Sequence, residues 1–100
     1  MQYARPPTGF IIREVETIKQ LIDGSTAEWP RLPAYWDDVK KRLSMDGHRV
    51  GEPVPRFGPG HRMFVAEGDT QAGLPTLWIG YHVLGDTISF RILSIETPPV

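Results

Sequence analysis

The side chains with the most chemistry to offer are Arg62, His82 and Arg91, with Trp78 as an aromatic neighbour. Two guanidiniums and an imidazole can hold a phosphate and move a proton, and an indole can stack a base, which is what contact with single-stranded nucleic acid requires. His82 belongs to the one residue type whose ordinary pKa, about 6.5, lets it act as acid or base near neutrality. The same set also describes an ordinary polar sheet face whose charges discourage aggregation. Elsewhere the reactive residue types form no constellation. His48, His61 and His82 have no second His, Asp or Glu at a metal-binding spacing, so no metal site is expected. Ser44, Ser89 and Ser94 lie outside any nucleophile-elbow or triad-like context. The glycines of Phe57-Gly58-Pro59-Gly60 are not followed by Gly-Lys-Ser/Thr, so they read as a turn and not as a phosphate loop, and no cofactor is expected.

A β-hairpin must position these residues. Apolar residues alternate along Leu77, Ile79, Tyr81 and Val83 and again along Ile88, Phe90 and Ile92, the period of strands with one buried face. Gly85-Asp86 between them suits a two-residue turn, because such turns need positive φ and glycine reaches it without a Cβ clash. Counting outward predicts Val83 opposite Ile88, Tyr81 opposite Phe90 and Ile79 opposite Ile92 on the buried face. The open face then has His82 opposite Ser89, Gly80 opposite Arg91 and Trp78 opposite Leu93. Arg62 to Ala66 alternates as a third strand, and Arg62 is assigned to the open face with His82 and Arg91.

Two helices precede the strands. Ile11, Val15, Ile18 and Ile22 have helical spacing within Phe10 to Asp23, with Gly24 placed to end the helix. The β-branched pair Ile11-Ile12 leaves a strand open for Phe10 to Arg13. Pro33 to Met45 predicts a second helix with Pro33 at its first position, an apolar stripe of Trp36, Val39 and Leu43, and Gly47 as terminator. Asp37 and Asp38 towards its start and Lys40 to Arg42 towards its end match the helix dipole. Met1 to Thr8 reads as a frayed or edge-strand arm, since Pro6-Pro7 cannot bond regularly. Val50 to Gly60 reads as a proline-punctuated surface connection, Glu67 to Pro75 as a polar loop, and Glu96 to Val100 as a tail outside the sheet. Helices followed by strands predict an α+β domain over residues 1–100. Its two helices cover one face of a small antiparallel three-strand meander, with an extra N-terminal edge strand as a variant.

Composition sets outer bounds on function. The chain has 100 residues, no cysteine and a formal net charge of −1, with a pI near 6.3. Disulfides and Cys-ligated zinc are excluded, and nothing global draws the chain to nucleic acid or an anionic membrane. No apolar run approaches the roughly 20 residues of a membrane span, and MQYARPP lacks the order of a signal peptide, so a cytoplasmic protein is expected.

Three segments carry a family resemblance: Trp36 to Leu43 closing the second helix, then Gly60-His61-Arg62-Met63-Phe64-Val65, then the hairpin Leu77 to Ile88. Over roughly Leu32 to Ile95 the chain resembles the RelE/ParE toxins of bacterial toxin–antitoxin pairs. That resemblance implies a cytoplasmic toxin, or a non-toxic relative serving as a protein-binding module, with an antitoxin partner. It also implies a ribosome- or gyrase-type target, and nucleic acid as a further partner. The metal-independent endonucleases of the family commonly place arginine where this chain has Trp78. They also follow the last strand with basic residues and a tyrosine, where this chain has Glu96-Thr97-Pro98-Pro99. Such enzymes need cations for the phosphoryl transition state and groups to move protons at the 2′-hydroxyl. The resemblance therefore implies action by macromolecular contact first and ribonuclease chemistry through Arg62, His82 and Arg91 second.

Overall fold

A computed structural model describes residues 8–98. The predicted arm, apart from Thr8, and the last two residues of the predicted tail lie outside that range. Strand β1 (Ile11–Arg13) leads into helix α1 (Glu16–Ser25) and helix α2 (Leu32–Asp46). The remainder is β2 (Glu52–Pro53), a 3-10 turn (Pro55–Phe57), β3 (His61–Ala66), β4 (Thr76–Leu84) and β5 (Thr87–Glu96). The α+β class holds, but the sheet has five strands in the order β1-β5-β4-β3-β2, and β1 runs parallel to β5 while every other pair is antiparallel. The expected three-strand meander is thus the middle of a mixed sheet.

The two added strands lie in segments expected to be a helix start and a surface connection. Ile11 and Ile12 join the sheet opposite Thr87 and Ile88, so the helix begins only at Glu16, whose carboxylate in the first turn suits the dipole. Of the predicted apolar stripe only Ile18 and Ile22 are buried, and the helix continues through Gly24 to Ser25. Within Val50 to Gly60, Glu52-Pro53 pairs with Met63 and Arg62; a proline is tolerated there because β2 is an edge strand.

Helix α2 forms where predicted, with Pro33 in its first turn and Trp36, Val39 and Leu43 buried. Gly47 caps it with ordinary right-handed dihedrals. Glycine is needed there for closeness instead, since a Cβ would come within 2.5 Å of the Leu43 carbonyl oxygen as well as of Ile88 Cδ1. Helices α1 and α2 cover one sheet face, where Leu77, Ile79, Tyr81, Val83, Ile88 and Phe90 meet Ile18, Ile22, Leu32, Trp36, Val39 and Leu43. The Trp36 ring stands edge-on to Phe90 at 5.4 Å between centroids, a favourable arrangement of their quadrupoles.

The β4–β5 hairpin closes on Gly85-Asp86, and Gly85 alone of the pair has positive φ (+60°), as in a type II′ turn. Val83–Ile88, Tyr81–Phe90 and His82–Ser89 pair as expected. The register then shifts between Gly80 and Tyr81, leaving Arg91 as the extra residue of a β-bulge. Ile79 faces Leu93, Gly80 faces Ile92 and Trp78 faces Ser94, and Ile92 moves to the open face with 48% of its surface exposed. A regular ladder would have sent Ile92 and Ser94 inward. The bulge sends Leu93 and Ile95 inward in their place, and both pack against the core, so it exchanges a buried hydroxyl for an aliphatic side chain.

Candidate functional site

The same pleat decides which cations meet His82. Strand β3 begins at His61, which lies opposite His82, so Arg62 falls opposite Tyr81 on the helix-covered side. The expected grouping of Arg62 with His82 and Arg91 is therefore corrected. Apolar residues stand at both parities of this strand: Phe64 and Ala66 face Ile79 and Leu77, while Met63 and Val65 face Gly80 and Trp78 on the open side. Arg62 instead clamps the loop after α2. It donates from Nε to the Val50 carbonyl (2.9 Å) and from Nη2 to the carbonyls of Gly51 (3.0 Å) and Arg49 (3.3 Å). The Tyr81 hydroxyl reaches the same loop, 2.8 Å from the Gly47 carbonyl and 2.9 Å from that of Val50. Burial pushes this phenol up to about 12, against the opposing pull of Arg62. Tyr81 and Arg62 hold structure.

On the open face, pairing brings Arg13, Ser89, His82 and His61 into one row across four strands. His61 and His82 stack, with centroids 4.3 Å apart and planes inclined by 23°. His61 Nδ1 lies 3.2 Å from the Gly58 carbonyl oxygen and His82 Nε2 lies 3.2 Å from that of Pro59. A carbonyl only accepts, so these nitrogens carry the protons of the neutral rings, and His61 Nε2 and His82 Nδ1 keep their lone pairs. Partial burial lowers the His82 pKa, as do the nearby His61 and, to a smaller degree, Arg91, while the Pro59 carbonyl works in the opposite direction. Arg91 is exposed at the bulge. Phe57 stands edge-on to His61 at 6.4 Å, with the Arg56 guanidinium 5.1 Å from the Phe57 ring centre.

Trp78 is also on this face and 41% exposed, its indole N–H donating to Glu96 Oε2 at 3.0 Å. It lies four residues from His82 along β4, about 13 Å at strand rise. One small ligand cannot span both. With Ile92 (48%), Leu84 (63%) and Ile11 (57%) exposed as well, the open face is an extended mixed surface with an imidazole pair at one end and an indole at the other. Among the described residues no group of three His, Cys, Asp or Glu could hold a metal ion, and no helix is long and apolar enough to cross a membrane.

Sequence reasoning placed His82 and Trp78 on this face, expected Arg91 opposite Gly80 where Ile92 stands instead, and missed Arg13 and His61. A nine-residue loop separates β3 from β4, so counting could not carry the register back to His61. A three-residue parallel strand leaves no periodicity to announce Arg13. No protein-family model, curated protein or solved structure matches the chain.

Proposed function

We propose that the protein acts by macromolecular contact through the uncovered face of its sheet, as a RelE/ParE-like toxin or toxin relative neutralised by an antitoxin. The observation that supports this reading is the face itself: Trp78 and Ile92 exposed along it, with His61, His82 and Arg13 in a row at one end and Arg91 exposed at the bulge. Exposed aromatic and aliphatic side chains bordered by cations are the composition of a binding surface, and the 13 Å spread suits a partner larger than a metabolite. Inducible expression tests it. Growth should arrest with the native chain and recover when Trp78→Glu and Ile92→Glu are introduced together, at equal protein level. Harmless expression of the native chain at high level sinks the toxin reading.

A second reading, metal-independent ribonuclease, is favoured by the stacked imidazoles with lone pairs available near Arg91. It no longer has Arg62 to hold phosphate. Cleavage of mRNA in a translating extract should then persist in EDTA and disappear in His82→Ala and Arg91→Ala. Intact RNA across a pH series removes this reading.

A further inference from the structure

Strand β1 covers only the first part of β5, pairing with Thr87, Ile88 and Ser89. Among the described residues no strand lies beside Phe90 to Glu96 on that side. Which backbone groups this free edge presents follows from the ladders. The Val83 N–H donates to the Gly60 carbonyl at 2.9 Å, so Val83 bonds towards β3, and alternate residues of β4 bond towards β5: His82, Gly80, Trp78 and Thr76. Trp78 therefore exchanges its bonds with Ser94, its partner. The N–H and C=O groups of Leu93 and Ile95, on either side of Ser94, point away from the sheet.

That edge is complementary to itself. If two copies of β5 run antiparallel about a two-fold axis at Ser94, Leu93 of one lies opposite Ile95 of the other. Both carry outward backbone groups and both have side chains on the helix side, so four hydrogen bonds form by symmetry. On the open side Ile92 lies opposite Glu96 of the second copy, and Arg91, one residue on, comes within reach of that carboxylate. The charge pair thus occurs twice. Neither proline nor lysine, the usual guards of a sheet edge, stands between Ile92 and Glu96. We propose that the chain forms an isologous dimer through β5, giving a continuous sheet eight strands across, with each β1 beside the start of its own β5. The axis is perpendicular to the sheet, so both open faces lie on one side and both Arg91 residues flank the seam. This inference is independent of the identity of any target.

Sedimentation of the native chain over a concentration series should show the mass rise from 11.3 kDa to twice that value. Leu93→Pro removes an outward N–H that the ladder leaves unbonded and should remain monomeric; it also trims a side chain packed against the core, so if it fails to fold the charge variants at exposed Arg91 and Glu96 carry the test. Arg91→Glu and Glu96→Arg should each weaken the dimer about tenfold, because the pair is counted twice, and the double exchange should restore it without relying on the proline variant. A native chain still monomeric at its highest soluble concentration overturns the proposal, even if its edge then accepts a strand from another protein. A dimer equally strong in all variants, or one not restored by the double exchange, overturns it too.

Discussion

Arg62 and Arg91 show how one position along a strand can decide what a charge does. Arg62 donates to three loop carbonyls, so Arg62→Ala takes the guanidinium from the part-buried Gly51 carbonyl and leaves that of Val50 to the Tyr81 hydroxyl alone, and should cost about 1 to 3 kcal/mol in urea unfolding. Arg91 is exposed at the bulge, and Arg91→Ala should cost less than about 0.5 kcal/mol when measured at low protein concentration. Equal losses would contradict the assignment of faces. His82 adds a pH dependence. Its pKa is lowered in the folded protein from about 6.5 in the unfolded chain, so the unfolded state binds the proton more readily. Its contribution is fully present above about 6.5 and is lost as pH falls through that value towards the folded pKa. The Tm of the native chain should fall more between pH 7.5 and 5 than that of His82→Gln, and identical profiles would show that His82 is not the group responsible.

At the scale of elements, the bulge makes its own prediction. Ile92 is half-exposed whereas Leu93 packs against the core, so Leu93→Ala should destabilise by about 2 kcal/mol or more and Ile92→Ala by less than half of that. The reverse order, which a regular ladder requires, would show that Arg91 is not the inserted residue. The hairpin was legible because turn chemistry and alternation agreed as far as Phe90. Beyond it, Ile92, Leu93 and Ile95 offered apolar residues at both parities, and only packing against the helices could choose between them. Helix α2 was legible from Pro33 and its stripe of Trp36, Val39 and Leu43. The start of α1 was not, because Ile11 fits a helical stripe as well as it fits a strand, and the choice was made by β5, far along the chain. The site shared this limit: the faces of His82 and Trp78 followed from the hairpin, whereas Arg91 lost its expected partner Gly80 to the bulge and Arg13 and His61 needed the sheet order. One bond network ties the short first strand down. Glu14 accepts from Trp36 Nε1 at 3.0 Å and from Lys40 Nζ at 2.8 Å, fixing the exit of β1 to α2. Glu14→Ala strands the Trp36 N–H and should cost about 1 to 3 kcal/mol, with tryptophan fluorescence shifted in the native state.

Seen whole, the described residues bury Trp36, Tyr81 and Phe90 on one side of the sheet and leave Trp78 partly exposed on the other. Tyr81 and Phe90 are both essentially inaccessible, and Phe90→Ala should cost about 3 to 5 kcal/mol, a large part of the roughly 5 to 15 kcal/mol that holds a domain of this kind. A Trp78→Ala chain, in contrast, should keep its Tm within a few degrees, which is what makes loss of a binding phenotype in open-face variants interpretable as loss of contact.

The parallel pairing of β1 with β5 also governs when the fold can exist. Ile11 to Arg13 find their strand partner in Thr87 to Ser89, with both helices and three strands lying between them in the chain. Contacts of such long sequence separation form slowly, because the intervening chain must be ordered first. During synthesis the helices emerge with Ile18, Ile22, Trp36, Val39 and Leu43 prepared for a sheet surface that the ribosome has not yet delivered. A chain stopped before Thr87 would expose that apolar layer and would be a substrate for chaperones and proteases. The full sheet, and any activity that depends on its open face, comes into being only once β5 has been delivered.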